Sequence, residues 1–384
     1  MATMTGTRFI STPPSHGAAA GSLGYCRRPF TAKLRPLSPL YRHRALNITA
    51  SPSPPSSLFS SRPTIPFPAK APSSRRRAIA TTAASMSRHP DFKTVEASRP
   101  DWDTSAHFRH TKTADPNWTF GQGANALGAG SAAAKHVSID PYEEGRPAIF
   151  NYKLLISGIT PRPIGFVSTR SGTAGEGGGG GGGAGAEEET FNLAPFSYFN
   201  VVCTDPPIFA LGVASPLSDP KKDTLRHLVA TGECTVNMIS EHFIEAANAT
   251  SVDAPTGFSE WAISGLTAAH DTVAVRAPRV REAVFAVECK VESIREFESR
   301  ATPGKKGGCV VLLEGVRFWV REDAINAERN LVDAAVLRPM SRLGGITYGR
   351  VTEAIELPRP VFERDVGVEE YERLKKKQAD RTAQ

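Results

Sequence analysis

The residues best suited to chemistry stand together at Ser218-Asp219-Pro220-Lys221-Lys222-Asp223-Thr224-Leu225. Asp223 is of the type that caps a helix N-terminus, and Leu225, Leu228 and Val229 follow at the i, i+3, i+4 spacing of a helix face. A helix opening here presents free backbone N–H groups beside a threonine hydroxyl and two lysines, the donor set that a phosphate needs. A solvated helix start with ordinary caps uses the same residues, so both readings stand at this point. Other reactive side chains are dispersed. His227 and His242 fall on expected helices without the spacing of metal ligands. Cys26, Cys203, Cys234, Cys289 and Cys309 include no C-x-x-C pair; they read as reduced, partly buried thiols of an intracellular protein.

The elements that must position these groups are mostly strands. Ile164–Thr169 is a β-branched and aromatic run opened by a proline-restricted turn. Thr190–Asn200 predicts a second strand interrupted at Pro195, where an edge or a bulge lets a ligand meet backbone. Ile208–Ala214, Cys234–Ile239, Val284–Ile294 and Cys309–Val320 predict further strands, the last apolar enough to be central. Phe243–Ala249 predicts a short helix. At least six strands with two or three short helices fit a closed antiparallel barrel. The long crossover helices of a doubly wound sheet are missing. The segment 175–189, with seven consecutive glycines, contains G-x-G-x-x-G trivially. It precedes a strand rather than a helix, so it reads as a hairpin-loop insertion and not as a dinucleotide motif.

Charge divides the 384-residue chain. Residues 1–86 hold 12 Lys and Arg and no acid, leaving 34 basic and 39 acidic residues beyond. The formal charge of +7 therefore belongs to the leader, and the mildly acidic remainder argues against a nucleic-acid partner. No apolar run approaches the roughly 20 residues of a membrane span, so no membrane partner is expected. The leader is Arg/Ser-rich and acid-free, as organelle transit peptides are. That reading places the protein in the mitochondrion; translation from Met86 instead leaves it cytoplasmic. Residues 87–139, with Trp102, Phe108, Trp118 and Phe120, are an arm or a linker. Residues 140–355 are the folded domain, and 356–384 a charged tail.

Five blocks in order carry a resemblance: Thr160–Thr169 (TPRPIGFVST), Asn192–Phe199 (NLAPFSYF), Lys222–Thr224 (KDT), Gly257–Leu266 (GFSEWAISGL) and Arg342–Tyr348 (RLGGITY). Through them the chain resembles the flavin reductase-like, FMN-binding split-barrel family, in its flavoredoxin-like, flavoprotein oxygenase branch. The resemblance implies a mainly β, Greek-key split barrel with a few short helices; the composition of residues 1–86 sets a disordered leader ahead of it. It implies FMN as cofactor, NADH or NADPH as co-substrate, and a homodimer with flavin at the interface. Ser197, Lys222 and Thr224, with Arg162, would serve the phosphate. Phe166 and Ala194, Pro195 and Phe196 would form the slot for the ring, and Asn192 would serve the ribityl chain or ring edge. Ser168, Asp223, Arg342, Gly345 and Tyr348 complete the implied cofactor set, the last three from either subunit. The scarcity of acid/base constellations suits a protein whose cofactor performs the hard step. The implied activity is an FMN-dependent oxidoreductase that takes hydride from NAD(P)H and passes electrons to oxygen, free flavin, a metal complex or a partner. A non-catalytic FMN-binding or electron-carrier protein, and a dimeric split-barrel module without flavin, are the alternatives.

Overall fold

The computed structural model describes residues 92–128, 130–172, 189–218, 220, 222–255 and 258–382. The expectations for the leader, for nearly all of the glycine-rich insert, and for Asp219, Lys221 and Gly257 lie outside these residues. In the arm, α1 (Phe92–Ala97) and β1 (Arg109–Thr111) are followed by α2 (Ala148–Gly158). Then come β2 (Gly165–Arg170), β3 (Phe191–Phe196), β4 (Phe199–Thr204) and β5 (Pro207–Val213). Next are α3 (Asp223–Thr231), β6 (Glu233–Met238), α4 (Ile244–Ala249) and α5 (Glu260–Ser264). Short β7 (Ala268–Ala269) and β8 (Arg279–Val280) precede the long pair β9 (Phe285–Glu298) and β10 (Lys306–Val320). The chain continues through α6 (Ala334–Leu337), β11 (Met340–Arg342), β12 (Tyr348–Arg350), β13 (Glu353–Ile355), α7 (Phe362–Asp365) and α8 (Gly367–Thr382).

Seven strands form one antiparallel sheet in the order β3-β2-β6-β9-β10-β5-β4. Its two edge strands, β3 and β4, are consecutive in the chain with only Ser197 and Tyr198 between them. Three Cα steps reach at most about 11 Å, so the two edges must meet and the sheet must curl. At the corner, Gly212 N–H donates to Tyr198 O at 2.7 Å and carries the β4–β5 ladder one residue beyond β4. A Cβ at Gly212 would stand 2.9 Å from the Tyr198 Cβ, so a side chain there would push the corner away from β5.

Curling creates an inside and an outside, both covered. Val167, Leu211, Leu225, Val236, Val311 and Leu313 fill the barrel. Ile164, Phe166, Leu193, Phe243, Trp261 and Met340 form a second core against the outer face. All of β2 is buried, and its period of two sends Phe166 and Val167 to opposite cores. β10 alternates in the same way through Val311 and Leu313, and lies inside the sheet as its apolar run requires. Cys234, Cys289 and Cys309 are free, buried thiols, whereas Cys203 is exposed.

Two sequence expectations are corrected. Thr190–Asn200 is not one strand interrupted at Pro195 but β3 and β4, broken at Ser197-Tyr198. Pro195 sits within β3, where the missing N–H is tolerated because β3 is an edge. Asp223 is not the cap of α3: Lys222 occupies that position, no side chain caps it, and the Asp223 carboxylate pairs with Arg226 one turn on. The charged tail carries the 16-residue helix α8, and the arm docks by parallel pairing of β1 with β13. Arg350 lies 4.1 Å over the Trp102 ring. Arm and tail belong with the barrel in one compact unit.

Candidate functional site

A cavity of about 340 Å³ opens on the seam. The end of β3 supplies Pro195 and Phe196, the connection supplies Ser197 and Tyr198, and β5 supplies Gly212 and Val213. Tyr152 and Ile156 come from α2, and Arg162 and Ile164 from the segment before β2. Lys222 reaches in from the start of α3, and Arg342, Gly345 and Tyr348 from the β11–β12 hairpin. Three cations therefore meet an apolar wall, and no carboxylate lines it among the described residues.

The cations are held differently. Arg162 Nη1 donates to the carbonyls of Ile156 and Ile159, both at 2.6 Å. These are carbonyls at the end of α2 that no helical N–H reaches. Its Nε lies 3.5 Å from Ser197 Oγ, and its backbone bridges to Arg342. Arg342 Nη2 donates to Gly345 O at 2.7 Å, and the guanidinium lies 4.2 Å over the Tyr348 ring. Lys222 is exposed and makes no ion pair among the described residues. Burial pushes the Tyr198 phenol up, with Tyr152 adding and Arg162 opposing. Burial also pushes Tyr348 up against the effect of Arg342; its hydroxyl donates to Asn248 Oδ1 at 2.9 Å. Both phenols therefore stay protonated near neutral pH, Tyr348 with its proton committed to Asn248.

Of the residues expected from sequence, Arg162, Pro195, Phe196, Ser197, Lys222, Arg342, Gly345 and Tyr348 come together on this wall. Phe166, Ser168, Asn192, Ala194, Asp223 and Thr224 do not line it. Phe166 is fully buried and packs on Phe243, with ring centroids 6.4 Å apart. Ser168 is buried with its hydroxyl unpartnered. Thr224 is 2% exposed, and its hydroxyl donates to the Asn192 side-chain oxygen at 2.8 Å. The Asn192 nitrogen in turn donates to Glu260 Oε2 at 3.3 Å. Burial pushes the Glu260 carboxyl up, with Asp223 adding to the effect. Thr224 and Asn192 thus form a buried link behind the pocket rather than its surface.

Sequence reasoning missed Tyr152 and Ile156. Their signal was the spacing of Ile149, Tyr152 and Ile156 on one helical face before the Thr160 block. Tyr198 lay inside a quoted block, but its position at the seam follows only from closure of the sheet.

An antiparallel sheet closed through β3 and β4, with a cation-rimmed apolar pocket on the seam, defines a split barrel of the flavoprotein type. The flavin reductase like domain matches residues 157–335, and the chain belongs to that family, whose members are flavin-related oxidoreductases. An uncharacterized protein of Halalkalibacterium halodurans is 33% identical over 215 residues, covering 56% of this chain and 93% of that protein. One from Bacillus subtilis is 34% identical over 209 residues, covering 54% and 93%. Among solved structures, nitrilotriacetate monooxygenase component B from Bacillus cereus is 31% identical, with a TM-score of 0.50 over 58% of this chain and all of that one.

Proposed function

We propose that the chain is an FMN-dependent oxidoreductase that accepts hydride from NADH or NADPH and passes electrons to oxygen, free flavin, a metal complex or a partner protein. The observation that carries the reading is the pocket wall: Arg162, Lys222 and Arg342 around Ile164, Pro195, Phe196 and Val213, without a carboxylate among the described residues. That donor set fits a phosphorylated, flat aromatic ligand, because the dianion needs cations and hydroxyls while the ring needs a desolvated slot. Lys222 would hold the phosphate, and the edge strand at Pro195–Ser197 would face the ring with backbone groups. Bound flavin would supply two-electron acceptance from a reduced nicotinamide. The protein's own work is to position it, keep water from the slot, and offer the Tyr152 and Tyr198 hydroxyls at its margin.

A homodimer completes this reading. Ile149, Phe150, Leu154 and Leu155 of α2, Ile159 just after it, and Val201 and Val202 of β4 are exposed. A groove of about 430 Å³ between them shares Arg162, Ser197 and Tyr198 with the pocket. An apolar patch continuous with the site is suited to a second copy.

The test is colour and bleaching. The purified protein should carry or take up FMN with a bound-flavin absorbance band, and that band should bleach anaerobically on addition of NADH or NADPH. A protein that binds no flavin overturns the reading. One that binds flavin without reduction is the carrier alternative.

A further inference from the structure

β2 runs behind the pocket and orders the elements that carry its cations. Arg162, three residues before β2, is bridged by its backbone to Arg342. At the other end of β2, behind the pocket wall, Thr169 stands opposite Asn192, whose side chain holds Thr224, two residues beyond Lys222. The four steps from Gly165 to Thr169 span about 13 Å at about 3.3 Å per residue. Arg342 and Lys222 are therefore anchored near opposite ends of β2. Phe196 pairs with Gly165, so the apolar slot lies at the Arg342 end.

This polarity separates the cations by task, on the flavin reading above. With the phosphate at Lys222 and the ring at Pro195–Ser197, the hairpin borders the face through which a hydride donor must approach. Arg162 is bound to the α2 carbonyls at 2.6 Å. Arg342 has only a neutral carbonyl and an aromatic face for partners, and no carboxylate among the described residues. It is a half-buried fork whose charge is not compensated. The hairpin tip beyond it, Gly345–Thr347, is exposed.

We propose that Arg342 receives the diphosphate of the nicotinamide dinucleotide, not the phosphate of the flavin. The stacked Tyr348 ring holds the guanidinium flat, and its planar fork matches two phosphate oxygens. The sequence resemblance had placed Arg342 with the cofactor; the register of β2 sets it at the co-substrate's side.

The experiment measures binding rather than turnover. Calorimetric titration of FMN-loaded protein with NADP⁺, NAD⁺ and nicotinamide riboside is compared between the native protein and Arg342→Gln, and FMN affinity is measured by fluorescence quenching. Loss of one charge-assisted fork should weaken NADP⁺ and NAD⁺ about tenfold or more. Nicotinamide riboside, which lacks the diphosphate, should stay within about twofold, and FMN should lose clearly less than the dinucleotides. Arg342→Lys, which keeps the charge, should recover part of the loss. Should Arg342→Gln fail to fold, the native protein still decides: NADP⁺, but not FMN alone, should protect Arg342 from phenylglyoxal, mapped by mass spectrometry. Unchanged dinucleotide affinity, an equal loss for FMN, or protection by FMN alone overturns the inference. Failure of the native protein to bind FMN overturns the flavin reading instead.

Discussion

Lys222→Ala and Thr224→Val should part company, although the two residues sit in one three-residue block. Lys222 is exposed, lines the pocket and makes no ion pair among the described residues. Its loss should leave the fold intact and remove one charge-assisted contact to a phosphate. Such contacts contribute about 1.5–3 kcal/mol. Solvent screening at an exposed ammonium favours the lower end, about tenfold in FMN affinity. Riboflavin, without the phosphate, should be unaffected, and the FMN loss should shrink as salt is raised. Thr224 is buried with its hydroxyl on Asn192. Valine fills the same volume but removes one of the two donors to the Asn192 amide oxygen, Leu193 N–H at 3.1 Å remaining, a cost of about 0.5–1.5 kcal/mol in stability. The Thr224→Val melting temperature should fall, with FMN and riboflavin weakened together or not at all. Fluorescence titrations of both flavins against both variants, beside thermal melts, supply the comparison. A selective FMN loss in Thr224→Val with an unchanged melt would show that the Thr224 hydroxyl turns to the phosphate. Equal losses of the two flavins in Lys222→Ala would show that the phosphate is held elsewhere.

His227 provides a pH test. Burial pushes its imidazole down from 6.5 to about 4, and its Nδ1 lies 3.1 Å from Thr169 Oγ1. The folded state therefore binds fewer protons than the unfolded state between those values; this contribution is complete above pH 6.5 and is lost as pH falls toward 4. It is worth at most about 3 kcal/mol, and urea melts across that range should show a shallower slope in His227→Gln. Light scattering at micromolar concentration should report a dimer, and Val201→Glu with Val202→Glu should return monomers. Replacing residues 175–188 by a short turn should preserve flavin binding, since closure cost changes only about 0.6 kcal/mol per doubling of length. Glu189→Ala should instead lower the melting temperature, because Glu189 bridges Arg170 and Arg276.

Much of the architecture was legible in local pattern. β-branched runs bounded by glycine and proline marked the strands, and the Lys-Asp-Thr segment marked a helix start that the structure places within a residue. The cations at 162, 222 and 342 were legible as a set because their blocks recur in order. Less legible were the helical face through Tyr152 and the structure of the arm and tail. Their partners lie more than 200 residues apart in the chain, as Arg109 and Glu353 do, and no local period encodes such pairing.

What the sequence determined by itself was residue type and spacing: which segments extend, which helix begins after Lys222, and which charges lie near them. What only the tertiary structure decided was direction. Phe166 and Phe196 are equally aromatic and equally placed for a ring slot. Closure of β3 onto β4 put Phe196 on the seam and left Phe166 under α4. Thr224 and Lys222 are two residues apart, yet the helix turns one inward to Asn192 and leaves the other facing the pocket. A strand's period of two and a helix's period of 3.6 assign side chains to faces, but which face becomes interior depends on how the sheet curls. That curl is enforced by a connection of two residues whose significance appears only when the strands on either side prove to be the two edges of one sheet.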